Sequence, residues 1–340
     1  MAYGSIMSIS NDSSEFNNAI LKITGPKAGS TVTVTQGSTV INAIEDNGVW
    51  TAEVGKGSWV VGCDGVTETV VIDNNKAYEI KLLVPDKILE NNNWTTIKKV
   101  SSSGNASQYW SIGDTKNIIL NGAALGITLN NLSINVFIIG IDHNSRYEGV
   151  NKIHFQIGKI NNVLVGLFYN SSVYGKGGQM NTTQSNSGGW ESSYMRNYSL
   201  SNRTTPEAPE SNSFMSVLPE ELRSNMISVK KFTDNRGDAV GTASAVTATV
   251  DYLFLLSPYE VSGNTEGANT YESTAQERYS YYLQGNSWLA YSWDDTTYKI
   301  AHWFRSPAGK SAGYFMAYSR YGFNGNNARL SNGICPCFCV

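Results

Sequence analysis

The sequence predicts an α+β protein in two parts, a small all-β sandwich followed by a larger mixed domain, and three observations predict it. Residues 16–84 alternate apolar and polar side chains in short runs divided by turn residues, the alternation stops near Pro85, and beyond it strand-length apolar runs mix with helix signals and long loops. Successive side chains of a strand point to opposite faces, so a run of period two marks a half-buried strand.

Taken in order, the first segment, "MAYGSIMSISNDSSEFNN", lacks the basic-then-apolar order of a secretory signal, and residues 1–15 read as a disordered leader. Export then needs another route, such as packaging in a particle released by lysis. Residues 16–86 carry the runs "AILKITG", "STVTVTQG", "TVINAIEDNG", "VWTAEVGKGSWVVGCDG", "VTETVVIDNN" and "AYEIKLLV". Turn signals fall between them at Gly25-Pro26, Asn47-Gly48, Asp64-Gly65 and Asn74-Asn75. Val34, Trp50, Trp59 and Ile80 are the expected core anchors. No cluster of acids or histidines lies here, so the segment reads as structural.

"PDKILENNN" ends the alternation, and a second domain is expected over residues 90–340. "INVFIIGIDHN" and "KIHFQIGKI" read as strands. A helix is expected over "LPEELRSNMISVKKF", where Pro219 stands near the first turn, acids sit at the start and lysines at the end, complementing the helix dipole. A second helix is expected over "GGWESSYMRNYSL".

Composition excludes several functions. A formal net charge of −3 provides no basic field for nucleic acid. No apolar run approaches the length of a membrane-spanning helix. Charged residues make up 16% of the chain, against roughly 25% in ordinary domains, so the surface is polar but weakly charged. Three of the four cysteines, Cys335, Cys337 and Cys339, crowd the tail while Cys63 stands apart, which is no secreted disulfide framework and fits synthesis in a reducing cytosol.

Several phrases then occur in a fixed order: "W-x-x-I-x-x-V-x-x-x-G-x-A" from Trp94, "YWSIGDTK" from Tyr109, "GGWESSYMR" from Gly188, "LPEELRSNMISVKK", "DYLFLLSPYEV" from Asp251 and "WFRSP" from Trp303. With the spaced Phe315, Gly322, Ala328, Gly333, Pro336 and Phe338, they make most of residues 90–340 resemble a domain family of gut-bacterial prophages and surface proteins whose C-terminal region is C-type-lectin-like. The first domain resembles immunoglobulin-like or carboxypeptidase-regulatory-like spacer modules. Within the family, residues 303–340 resemble the variable region of proteins diversified by retroelements, in which a lectin-like fold displays substituted residues to changing host receptors.

That resemblance implies a division of the tail. Trp303, Arg305, Phe315, Gly322, Ala328, Gly333, Pro336 and Phe338 would be scaffold. Tyr314, Met316, Tyr318, Arg320, Tyr321, Phe323, Asn324, Asn326, Asn327, Arg329 and Leu330 would be ligand-binding positions. The residue types agree with the division: glycines permit reversals, tyrosine supplies rigid contact area and asparagine adaptable hydrogen bonds. An aromatic strand-and-loop core is the plainer reading of the same residues.

The sequence departs from the family at the end, where members carry an Arg and a small residue around the final Pro and this chain places Cys335 and Cys337. Three thiols at alternate positions share one face of an extended strand; they can bind metal, pair, or sit buried as small hydrophobes. A tetrahedral site needs a fourth ligand and Cys63 lies in the other domain, so free or buried thiols are expected.

No catalytic residues, metal or cofactor are expected. Asp142, His143 and Glu148 in "DHNSRYEG" lack a recognised ligand spacing and read as a solvated loop or a satisfied polar contact. His154 reads as the polar face of a strand, and His302 as packing for the tail. Asp294-Asp295 and Glu220-Glu221 are adjacent in sequence, which does not make a glycosidase pair. "GKGGQ" at residues 175–179 lacks the order of a phosphate loop and reads as flexible. The tail has no calcium signature.

The expected function is therefore a non-enzymatic receptor-binding adhesin of a phage tail tip, made in the bacterial cytoplasm and carried on the virion, or alternatively displayed on a bacterial surface. Its expected partners are a bacterial surface protein or glycan, other tail proteins and, through avidity, two further copies in a trimer. Alternatives are a structural tail or baseplate component and, because the lectin-like fold also serves formylglycine-generating oxidases, a cysteine oxidase.

Overall fold

Every second residue of Ala19–Thr24 is buried, and this strand is β1 of a computed structural model that describes residues 18–169 and 178–340. The leader at 1–15 and residues 175–177 of the expected flexible loop lie outside the described residues. The chain divides into two units, Met1–Pro85 and Asp86–Val340.

In the first unit β1 is followed by β2 (Thr33–Gln36), β3 (Thr39–Asn42), β4 (Ile44–Asp46), β5 (Val49–Val54), β6 (Gly57–Cys63), β7 (Val66–Ile72) and β8 (Ala77–Lys81). They form two four-stranded sheets, β4-β5-β1-β8 and β3-β2-β6-β7, in which β1 runs antiparallel to β5 and parallel to β8. The inward residues of both sheets, among them Leu21, Val34, Trp50, Trp59 and Val61, share one apolar cluster, with Ile80 half-buried against it. Both indoles satisfy their N–H groups, Trp50 on the Ser30 carbonyl at 3.1 Å and Trp59 on that of Gly55 at 2.9 Å.

The second unit opens with α1 (Trp94–Ser102), which begins because the Asn93 side chain accepts the Thr96 N–H at 2.8 Å. Trp94, Ile97, Val100 and Ser101 form its buried stripe, the helical spacing of an amphipathic face. After α2 (Ala106–Tyr109) come β9 (Thr115–Ala124), β10 (Ile127–Ile141), the turn of helix α3 (Ser145–Glu148), β11 (Ile153–Ile160) and β12 (Val163–Gly166). Then follow α4 (Gly189–Ser192), a π-helical turn at Met195–Ser199, α5 (Glu220–Asn225), β13 (Val229–Asp234), β14 (Val246–Asp251), β15 (Leu253–Phe254), α6 (Pro258–Ser262) and α7 (Ser280–Leu283). The chain finishes with β16 (Tyr291–Ser292), β17 (His302–Pro307), β18 (Tyr314–Ser319), β19 (Gly322–Asn327) and β20 (Cys337–Cys339).

The main sheet has the order β15-β20-β11-β10-β9, with β12 beside β11 and β16 beside β12. Thus β20 lies between β11 and β15, with Phe338 opposite both Phe155 and Leu253. Phe338 stacks on Phe155 at 5.2 Å and meets the edge of Trp94 at 5.7 Å, tying the tail strand to α1. Two smaller sheets, β13-β14 and β17-β18-β19, complete a mixed α+β architecture that is mostly strand with short helices. No described helix is long and apolar enough to cross a membrane.

Two expected helices are corrected. The helix expected to run to Phe232 stops at Asn225, and its lysines belong to β13, where Lys230 and Lys231 pair with Val250 and Thr249 of β14. Tertiary pairing of the stretch around Ile227 and Val229 outweighs the charge pattern that favoured helix. The helix expected over 188–200 is broken at Ser193, which is extended (φ −61°, ψ 144°) and donates its hydroxyl to the Trp190 carbonyl.

Candidate functional site

The sequence "HWFRSP" forms β17, and every residue of it is buried. A strand covered on both faces is an anchor rather than a display element. Trp303 donates its indole N–H to the Gly178 carbonyl, and Arg305, without exposed surface, fixes the strand from within.

β17 carries the hairpin of β18 and β19. Its register pairs Tyr314 with Asn327, Met316 with Gly325, Ala317 with Asn324 and Tyr318 with Phe323, and a two-residue turn, Arg320–Tyr321, joins Ser319 to Gly322. Gly322 holds φ +101°, a conformation that L side chains rarely adopt. Tyr321 is 83% exposed, and the Arg320 guanidinium lies 4.7 Å over its ring while hydrogen-bonding its hydroxyl.

The expected binding positions do not form one class. Arg320, Tyr321, Asn324, Arg329 and Leu330 are exposed; Tyr314, Tyr318, Phe323, Asn326 and Asn327 are half-buried. Met316 is a correction: it is 2% exposed and packs at Gly267, so it belongs to the core. Tyr318 and Phe323, expected as anchors, touch edge to face at 4.8 Å and lean on Trp288 at 6.0 and 6.3 Å. Phe304 lies 5.2 Å from Phe323 and His302 lies 6.2 Å from Tyr318, so an aromatic layer supports the hairpin from beneath. Sequence reasoning missed Trp288; its partners are distant in sequence, and no local pattern marks it.

A depression of about 290 Å³ lies along the hairpin, lined by Ala317, Tyr318, Ser319, Tyr321, Gly322, Phe323, Asn324 and Asn326. None of these side chains is charged, so the depression offers hydroxyl and amide hydrogen bonds against aromatic edges. Of the expected scaffold positions Gly322 is half-exposed and lines the depression, whereas Trp303, Arg305, Phe315, Ala328, Gly333, Pro336 and Phe338 are buried. At Gly333 a Cβ would sit 2.6 Å from Ile300 and 3.0 Å from the Gly166 Cα, a backbone approach only glycine allows.

Beneath β17 runs a buried ionic network. Arg305 binds Glu260 through both terminal nitrogens and donates to Thr233 Oγ1 at 2.6 Å. Lys231 Nζ reaches Glu260 at 2.7 Å, Glu148 at 2.8 Å and the Tyr279 hydroxyl at 3.1 Å. Burial alone would raise Glu260, but the two cations beside it hold its carboxyl far below the ordinary range. Glu272 accepts the Ser306 hydroxyl at 2.6 Å and the Asp234 N–H at 3.0 Å, yet burial dominates and lifts it to about 7.

Of the two readings of the 142–148 segment, the solvated loop is corrected for His143 and Glu148, and the polar contact is what Glu148 makes with Lys231. Asp142 stays half-exposed, but His143 and Glu148 are buried, with His143 stacked on Tyr279 at 3.5 Å. His154 is also corrected: both faces of β11 are covered, and its Nδ1 lies 3.0 Å from the Tyr279 hydroxyl. Ligand atoms of His143, Glu148 and Glu260 lie within 4.8 Å of one another, the one such group among the described residues. The Lys231 ammonium already stands between both carboxylates, so a metal there would add charge to a locus that is balanced and sealed. Lys231 and Glu260 were missed, although Ser257, Pro258 and Glu260 spell the capping box that starts α6.

Cys335, Cys337 and Cys339 are free and buried, and burial pushes each thiol upward, away from the thiolate that chemistry requires.

Residues 161–340, more than half of the chain, match the family model DUF6273, a domain of unknown function. No curated protein matches the chain. Among solved structures, a DUF3823 family protein from Bacteroides ovatus ATCC 8483 is similar at 11% identity over 42% of this chain, with a TM-score of 0.17. The chain spans 57% of that protein's length, and so slight a likeness carries no argument.

Proposed function

The chain belongs to the DUF6273 family, and since that membership prescribes no chemistry we propose, from the chain's own geometry, that it is a non-enzymatic adhesin of a phage tail tip. Its first unit is an immunoglobulin-like spacer, and its second a C-type-lectin-like domain that meets a protein or glycan on a bacterial surface through the β18–β19 hairpin. One observation carries the reading. Within fourteen residues, 314–327, the buried run Phe315, Met316 and Ala317 of β18 is followed by the exposed Arg320 and Tyr321 of the turn and Asn324 of β19. An exposed aromatic and amide turn thus projects from a strand fixed in the core, the arrangement that lets contact residues change without disturbing the fold.

Trimerisation on the particle and assembly with other tail proteins belong to the same reading. A purely structural tail component would share the scaffold but would not need the exposed turn. The cysteine-oxidase alternative requires a reactive thiolate, and the burial of all three tail thiols weighs against it.

Sequencing of codons 303–340 across descendants of one clone, with codons 19–85 as control, tests the reading. Substitutions concentrated at Tyr321, Asn324, Asn326 and Arg329, with Phe315, Gly333 and Phe338 unchanged, are expected. Binding to bacterial envelopes that is indifferent to Tyr321→Ala and Asn324→Ala together would remove the hairpin from the contact.

A further inference from the structure

The π-helical turn at Met195–Ser199 and the residue that caps it carry two exposed tyrosines that the hairpin does not account for. Tyr194 and Tyr198 stack at 5.0 Å and 18° between ring planes, 37% and 44% exposed. The Arg203 guanidinium lies 4.5 Å over the Tyr198 ring and is held by Glu210 at 3.3 Å. A guanidinium and two rings thus make a column that stands in solvent.

The column is rigid. Arg196 binds Asp251 at 2.6 Å and the Val250 carbonyl at 3.2 Å, and the Asn197 amide donates to the Glu191 and Ser193 carbonyls. The Leu200 N–H closes the wide turn on the Met195 carbonyl at 2.8 Å. Single π-helical turns recur at functional sites because they re-aim side chains that an α-helix would space differently. Exposed aromatics held in place bind without paying the entropy of ordering them.

The column also adjoins the tail. Asn181 donates its N–H to the Ala328 carbonyl at 2.9 Å and accepts the Tyr194 backbone N–H at 2.8 Å, so two hydrogen bonds link the residue after β19 to the backbone of the first tyrosine. Arg329 and Leu330, next along the tail, are exposed.

We infer that Tyr194, Tyr198 and Arg203 form a second, fixed subsite for a saccharide, one pyranose ring stacking its C–H face on the open side of the tyrosine column. The inference rests on the adhesin reading and names its ligand class. An aromatic face bordered by phenolic hydroxyls suits a ring that is apolar on its face and hydroxylated around its rim. The guanidinium at the far end and the exposed Arg329 disfavour a cationic protein side chain as the stacking group.

The full chain is tested on immobilised envelopes from a panel of bacteria, left untreated, oxidised with periodate to open sugar diols, or digested with proteinase K. Periodate is expected to abolish binding and the protease to leave it intact. Tyr194→Ala and Tyr198→Ala should each weaken binding about tenfold, the loss typical of an aromatic anchor, while Tyr194→Phe stays within about twofold. Thermal unfolding of each variant separates loss of contact from loss of fold. Competition by neutral oligosaccharides is expected to release the bound protein. Binding that survives periodate and is lost to protease, or is unchanged in both alanine variants, overturns the saccharide subsite and leaves the hairpin adhesin standing. Wild-type protein that binds no envelope removes the adhesin reading and the subsite with it.

Discussion

The Arg305 guanidinium grips the Glu260 carboxylate with both terminal nitrogens, and neither residue exposes any surface. The pair joins β17, which carries the hairpin, to the first turn of α6, where Glu260 also accepts the Ser257 N–H at 2.9 Å. Removing one partner leaves a buried charge uncompensated. Glu260→Ala should therefore cost about 3–5 kcal/mol in urea unfolding. Glu260→Leu combined with Arg305→Met should cost less than the sum of the two single changes, because the pair is lost together.

Buried and exposed positions of the tail should separate in the same assay. Phe338→Ala opens a cavity between Phe155 and Trp94 and should cost about 3–5 kcal/mol. Tyr321→Ala should stay within about 0.5 kcal/mol, since its ring touches only its own turn. Met316→Asn should cost at least about 2 kcal/mol, which keeps that position out of any tolerated repertoire.

Stability should depend on pH with two opposing contributions. Burial holds His302 and His143 neutral down to about 3 in the fold, whereas in the unfolded chain they protonate near 6.5. Unfolding therefore takes up protons across that window, and stability falls as the pH drops through it. Glu272 runs the other way: its folded value of about 7 exceeds the ordinary 4.5, so its contribution is full below 4.5 and is lost as the pH rises through 7. Glu272→Gln should remove that loss, gaining on the order of 3 kcal/mol on wild type between pH 4.5 and 8. His302→Gln should flatten the acid limb. Equal pH profiles for wild type and both variants would contradict these assignments.

The tail thiols should resist a thiol-specific disulfide reagent in the folded protein and react together on unfolding. Added zinc should leave the melting temperature unchanged. Rapid modification of Cys337 under native conditions would contradict its burial beside β11.

Local signals were legible and distant ones were not. Alternation announced β1, β5 and β6, and the buried Trp50 and Trp59 could be read from it directly. Lys231 could not: a lysine following acids looks like the end of a helix until Glu148 and Glu260, far away in sequence, place it in the core. The same limit applies to the hairpin. Glycine punctuation located its turn, but whether Met316 faces inward depends on Gly267, and whether Tyr318 stands free depends on Trp288.

The position of β20 in the main sheet has a bearing on error. Residues 337–339 fill the gap between β11 and β15, strands made long before them, and they follow the hairpin in the reading frame. A frameshift or premature stop within codons 314–327 thus deletes an interior strand and leaves two unpaired edges, which proteases and aggregation act upon. A missense change at Tyr321 or Asn324 leaves the same sheet closed. The two errors therefore differ in kind: a substitution in the exposed turn leaves the main sheet whole, whereas a broken frame opens it at its interior.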